Sequence, residues 1–103
     1  MTEAWNRICS LSDVKPDEIF GGSIKDTQIA VYLVGGKYYA TDNVCPHAFS
    51  LLSDGWLDGL QVECPLHGAQ FNIETGALVR GPATCGIKTY PVRIEHEDIF
   101  CLV

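Results

Sequence analysis

Residues 29–41 read Ile29-Ala30-Val31-Tyr32-Leu33-Val34-Gly35-Gly36-Lys37-Tyr38-Tyr39-Ala40-Thr41, and this stretch decides the fold class. The first run is short, apolar and partly β-branched, which is the composition of a strand. Two glycines part it from a second run, and glycine accepts the positive φ that a two-residue hairpin turn demands. A β-hairpin is therefore expected here. Working outward, Glu18-Ile19-Phe20 and Ser23-Ile24 flank Gly21-Gly22, which predicts a strand with a bulge or bend. Ala4 to Cys9 predicts a strand at the start. Between them Leu11-Ser12-Asp13-Val14-Lys15-Pro16 predicts one helical turn, capped by Ser12 or Asp13 and stopped by Pro16. Towards the C-terminus, Gln61-Val62-Glu63 and Phe71-Asn72-Ile73 are brief strands set among the turn signals Asp54-Gly55, Asp58-Gly59 and Glu74-Thr75-Gly76. Lys88 to Glu95 alternates, and Ile99 to Val103 forms a last strand joined to it by the acidic turn Glu95-His96-Glu97-Asp98. The pattern predicts an all-β sandwich or barrel. The 103 residues suit a single domain, 1–103, and no repeat, linker or low-complexity tract divides them.

Two clusters interrupt the strands. Cys45-Pro46-His47 and Cys64-Pro65-Leu66-His67 spell C-x-H, sixteen residues, then C-x-x-H. Two thiolates and two imidazoles, one of each in each cluster, form a candidate metal site. One chemistry with this donor set is a 2Fe-2S centre of the Rieske type, which binds one iron through two cysteines and the other through two histidines. Each loop would then give one ligand to each iron. Tetrahedral zinc on Cys2His2 is the alternative, although zinc fingers group like ligands together as C-x2-4-C and H-x3-5-H. The proline after each cysteine and the glycine after His67 also suit tight loops around a compact cluster better than a finger helix.

The chain resembles the Rieske ferredoxins, small electron carriers of bacterial multicomponent aromatic-ring-hydroxylating dioxygenases. The resemblance covers essentially the whole chain. Besides the two clusters it rests on Tyr38-Tyr39-Ala40-Thr41-Asp42-Asn43, on Leu52-Ser53-Asp54-Gly55 and on Ile87-Lys88-Thr89-Tyr90-Pro91-Val92. It implies an antiparallel β-sandwich with a small cluster-binding subdomain at about residues 43–84. It assigns Cys45 and Cys64 to an inner, buried iron and His47 and His67 to an outer iron near the tip. It implies transient partners, a flavoprotein ferredoxin reductase fed by NADH and a terminal oxygenase. Pro46, Phe49, Leu66 and Pro82 are candidates for an apolar rim around the histidines, and Gly81-Pro82 matches a third loop that covers the cluster. High-potential relatives carry a disulfide between the ligand loops and hydroxyl groups aimed at sulfur. The matching positions here are Ser50 and Leu66 for the disulfide, Ala69 and Phe71 for the hydroxyls. A low-potential centre is expected. A small Rieske subunit or accessory protein of another redox system, such as an assimilatory nitrite reductase, is the alternative within the same resemblance.

Several function classes are excluded. A net charge of −6 argues against nucleic acid, which calls for a basic stripe. No run approaches the eighteen apolar residues of a membrane span and no signal peptide opens the chain, so a soluble, cytoplasmic protein is expected. Once the four ligands are assigned only His96 remains, too few for a mononuclear iron on two histidines and a carboxylate. A Gly-x-Gly-x-x-Gly fingerprint for a dinucleotide is also absent. The chain is expected to be an electron-transfer component and not an enzyme by itself. Of the other cysteines, Cys9 and Cys101 read as small buried hydrophobes, Cys85 as more exposed, and a disulfide framework is not expected.

Overall fold

The structure, a computed structural model, describes residues 3–46, 50–66, 68–83 and 85–103. The hairpin at 29–41 forms as read. Strand β3, Thr27–Val34, and strand β4, Lys37–Asp42, pair antiparallel from Val34↔Lys37 down to Ile29↔Asp42. Gly35 and Gly36 take φ of 59° and 79° between them. Strand β2, Ile19–Ile24, pairs along the other side of β3, and the two-residue β9, Thr89–Tyr90, completes the sheet against β4. The order of this sheet is β2-β3-β4-β9.

Strand β3 carries an unbroken apolar run because both of its faces are buried. Ile29 and Val31 pack with Cys9, Val14, Ile24, Ala40, Tyr90, Ile99 and Cys101. Ala30 and Tyr32, on the opposite face, pack with Cys45, Leu52, Val62, Cys64, Ala69, Phe71, Ile73, Ala83 and Ile87. The four-stranded sheet is thus a middle layer. On one side lies the sheet of β1, Trp5–Ser10, β11, Asp98–Leu102, and β10, Val92–Glu95, in the order β1-β11-β10. On the other lies a sheet of four three-residue strands in sequence order: β5, Trp56–Asp58, β6, Gln61–Glu63, β7, Gln70–Asn72, and β8, Leu78–Arg80. Every named pairing is antiparallel, which agrees with the expected all-β class.

Several local expectations need correction. Gly21-Gly22 makes no bulge: Ile19↔Tyr32 runs to Ile24↔Thr27 without a slip. Register shifts lie instead in β1, between Arg7 and Cys9, and in the β7–β8 pairing, between Gln70 and Phe71. The helical turn is a 3-10 turn at Leu11–Asp13 whose N-cap is Ser10, not Ser12 or Asp13; the Ser10 N–H donates to the Asp13 carboxylate at 2.9 Å. The Asp58-Gly59 signal is displaced by one residue, since Asp58 pairs with Gln61 and the turn is Gly59-Leu60. The alternating stretch Lys88 to Glu95 is two strands. Pro91 has no N–H to offer, and the chain leaves β4 at Tyr90 and joins β11 at Val92. The acidic turn joins β10 to β11, with His96 exposed at φ 58° and Asp98 paired to Arg7 at 2.9 Å. Among the described residues, no helix is long and apolar enough to cross a membrane.

Candidate metal centre

Both cysteine clusters sit in loops that close in the same way. Strand β4 runs through Asn43 and Val44 into Cys45, and the chain returns through Ser50, Leu51 and Leu52. Val44 bridges Leu51, and the Leu52 N–H donates to the Asn43 carbonyl at 2.7 Å. Above this rung the Cys45 N–H donates to the Ser50 carbonyl at 2.9 Å. The second loop springs from the β6–β7 hairpin, where Glu63 pairs with Gln70. Its Cys64 N–H donates to the Ala69 carbonyl at 2.8 Å. In both loops, then, the cysteine amide reaches the carbonyl five residues on. Gly68 supplies the positive φ, 76°, that brings the second loop back to Ala69. The Gln70 side-chain amide also donates to the Glu63 carboxylate at 2.8 Å.

The two cysteines belong to one buried cluster: Cys45 is 2% exposed and Cys64 is fully buried. Leu52, Val62, Ala69, Phe71 and Ala83 share that cluster with them. Two thiols at the bases of two matched loops, in a dry apolar setting, fit the cysteine half of a 2Fe-2S donor set. His47 and His67, and with them Phe49, lie outside the described residues. Of the two hydroxyl-free positions, Ala69 closes the Cys64 loop, and Phe71 is fully buried in the same cluster. Ala83 carries the third loop into that cluster, while Gly81 and Pro82 are exposed. Of the candidate rim, Pro46 is exposed and Leu66 is 43% exposed; Val44, not singled out from the sequence, is 45% exposed beside the first loop.

Other residues that shape the site carry little signal in the sequence. Asn43 is almost wholly buried and grips Ser53 through two hydrogen bonds. Gly55 passes so close to the second loop that a Cβ there would overlap the Glu63 carbonyl oxygen and lie 3.1 Å from the Pro65 ring. A hydrogen-bonded chain also crosses the middle sheet. The Tyr32 and Thr41 hydroxyls share a bond of 2.8 Å, Thr41 donates to the Asp42 carbonyl, and Tyr90 donates to the Asp42 carboxylate at 2.6 Å. Burial raises the Tyr32 phenol well above its ordinary range, and burial with the Asp42 bond does the same at Tyr90. The thiols far from the loops are protonated too: burial raises Cys9 and Cys101 each to about 11.

Comparison with known proteins agrees with this geometry. The family description Rieske [2Fe-2S] domain matches residues 4–91. The chain is similar to the ferredoxin component of the naphthalene 1,2-dioxygenase system of Pseudomonas putida, 43% identical over 96 residues that span 93% of this chain and 92% of the relative. Among solved structures it is similar to a ferredoxin of Sphingomonas yanoikuyae B1, with a TM-score of 0.90 and 40% identity over 96% of this chain and 97% of that one. It also matches a chain in the complex of reduced oxygenase and oxidised ferredoxin of carbazole 1,9a-dioxygenase, with a TM-score of 0.87 and 34% identity over 95% and 92% of the two chains. With likeness at this level over nearly its full length, the chain belongs to the Rieske 2Fe-2S family and, within it, to the ferredoxin components of aromatic-ring dioxygenase systems.

Proposed function

We propose that this chain carries single electrons from a flavin-dependent NADH reductase to the terminal oxygenase of an aromatic-ring dioxygenase, through a cluster held by Cys45, His47, Cys64 and His67. The observation that carries the ligand reading is the matched closure of the two loops, which sets Cys45 and Cys64 in one apolar core. The whole chain acts as one Rieske domain, with residues of about 43–84 as its cluster-binding part, and works in the cytoplasm. When bound, the cluster supplies a one-electron couple. Likeness to the naphthalene dioxygenase component over nearly the full chain favours this pathway over a nitrite reductase subunit.

The residues described here favour a low potential. Two thiolates balance the charge of an oxidised core, so the reduced state carries a net negative charge that hydrogen bonds and water would stabilise. The Cys45 and Cys64 amides are already committed to carbonyl oxygens. Ala69 and Phe71 have no hydroxyl to donate. Leu52, Val62 and Ala83 keep water from the cysteines. Together these support a midpoint near the bottom of the Rieske range, roughly −150 mV. The exposure of Pro46, Leu66 and Pro82 supports an apolar rim that a partner meets, with Phe49 as its further sequence candidate.

The test is an EPR spectrum of anaerobically purified, dithionite-reduced protein, followed by redox titration. A Rieske signal with a low midpoint, lost in Cys64→Ser and in His67→Cys, is the expected result. Zinc without iron, or a His67→Cys protein with an unchanged spectrum, would overturn the ligand set.

A further inference from the structure

The second ligand loop springs from a regular hairpin, but among the described residues the arms of the first share a single bridge, Val44–Leu51. Something else must hold it, and Asn43 is placed to do so. It is 1% exposed, two residues before Cys45. Its backbone N–H donates to the Gln28 carbonyl of β3 at 3.0 Å, and its own carbonyl accepts from the Leu52 N–H. Its side-chain oxygen accepts from the Ser53 N–H at 2.8 Å, and its side-chain amide donates to the Ser53 hydroxyl at 2.9 Å. The amide cannot be turned over, because the Ser53 N–H can only donate. One side chain therefore ties the outgoing arm of the loop to the returning arm, and its backbone ties both to the middle sheet.

Strand β2 presses on this clamp from outside. A Cβ on Gly21 would stand 2.6 Å from the Ser53 hydroxyl oxygen, 3.0 Å from the Ser53 Cβ and 3.1 Å from the Asn43 amide nitrogen. Gly21 is not among the residues of positive φ, so closeness of approach and not backbone conformation demands glycine there. This explains the residue that the sequence suggested was a bulge.

We propose that Asn43, braced by Ser53 and by the bare backbone of Gly21, is a positioning residue for the cluster. It sets where the Cys45 loop stands and so governs both the hold on iron and the midpoint potential. The proposal rests on the reading of Cys45 and His47 as ligands. Loosening the clamp admits water beside the buried cysteines, and water favours the more charged, reduced state.

The test uses the purified holoprotein and three variants: Asn43→Ala, Gly21→Ala, and Gly21→Ala combined with Ser53→Gly. Iron release to a chelator, the EPR spectrum and the midpoint are measured on each. Asn43→Ala, which removes both hydrogen bonds to Ser53, and Gly21→Ala, which pushes on them, are expected to lose iron at least about tenfold faster and to have raised midpoints. The double variant recovers towards wild type, because it removes the Ser53 side chain that a Cβ at position 21 would strike yet keeps the Ser53 N–H for Asn43. That rescue separates positioning from simple loss of fold. Should Gly21→Ala fail to fold, Ser53→Ala, which removes only the hydroxyl arm, is expected to change both quantities in the same direction by a smaller factor. Unmoved midpoint and iron release in Asn43→Ala, or no recovery in the double variant, would overturn the clamp while the wild-type Rieske signal still stands. A Cys45→Ser protein with an unchanged spectrum would instead overturn the ligand reading, and the clamp with it.

Discussion

Phe71→Tyr tests the proposed low potential directly. Phe71 stands opposite Val62 in the β6–β7 ladder and is fully buried in the cluster that holds Cys45 and Cys64. The substitution adds one hydroxyl to a dry space, and that hydroxyl has two possible fates. If it donates to a cluster or cysteine sulfur, the bond strengthens on reduction as the sulfur gains negative charge. Hydrogen bonds to charged groups contribute about 1.5–3 kcal/mol. If roughly 1 kcal/mol of that differs between the two oxidation states, the midpoint rises by about 40 mV, since about 1.4 kcal/mol corresponds to about 59 mV for one electron. If the hydroxyl finds no partner, it destabilises the fold by about 1–3 kcal/mol instead. That would lower Tm by roughly 5–20 °C in a domain of this size. EPR-monitored titration and a thermal melt on the same preparation separate the two. The expected result is a raised midpoint with a melt close to wild type, and Ala69→Ser should move the midpoint in the same direction. A midpoint and a Tm both left at wild type would refute the argument, because the added group would then be neither at sulfur nor stranded in the core.

Three further outcomes are expected. Stability should fall at alkaline pH. Cys9 and Cys101 have folded-state values of about 11 against an ordinary 9.0, so between these values the unfolded chain loses protons that the folded chain keeps. Their contribution, on the order of 2 kcal/mol for each thiol considered alone, is complete below pH 9 and lost as pH rises through 11; urea midpoints at pH 8 and 10.5 measure it, and Cys9→Ala/Cys101→Ala should flatten the difference. Gly55→Ala drives a methyl into the Glu63 carbonyl at the foot of the second loop, and should cost about 1–3 kcal/mol and weaken iron retention, read by denaturant unfolding and iron content. Leu66→Asp changes an exposed rim residue, and should leave EPR and midpoint unchanged while slowing electron delivery to the oxygenase by about tenfold in stopped flow, as loss of an apolar contact predicts; an unchanged rate would remove Leu66 from the docking surface.

The parts of the molecule legible in the sequence are those whose chemistry is local. Gly35-Gly36 announces its turn because two consecutive positive φ values exclude most other residues. Cys45 and Cys64, with the histidines of their motifs, announce a candidate soft-metal site by residue type and spacing. What stayed hidden depends on partners far along the chain. Gly21 is glycine because Ser53 and Asn43 lie against it, and nothing near Gly21 in sequence says so. In residues 88–95 only Tyr90 and Val92 keep the inward alternation, Ile94 being 46% exposed, and a period of two does not tell which neighbour a strand takes. The exchange of β4 for β11 across Pro91 is therefore not legible in the sequence. Ser10 outdid the nearer candidates as a cap because it sits where the extended chain of β1 ends, a matter of backbone conformation that residue type only suggests. The candidate ligands His47 and His67 follow from the motif and lie outside the described residues.

The two loops that close alike are rooted in different layers, the first in β4 of the middle sheet and the second in the β6–β7 hairpin of the outer one. A cofactor gripped by both would stitch the layers together, and the outer sheet, made of three-residue strands, has the most to gain from the stitch. Removing iron should therefore be felt unevenly. Amide protons of β5 to β8 should begin to exchange with solvent well before those of β3 and β4, so that the redox centre also acts as the fastener of the molecule's least self-sufficient part.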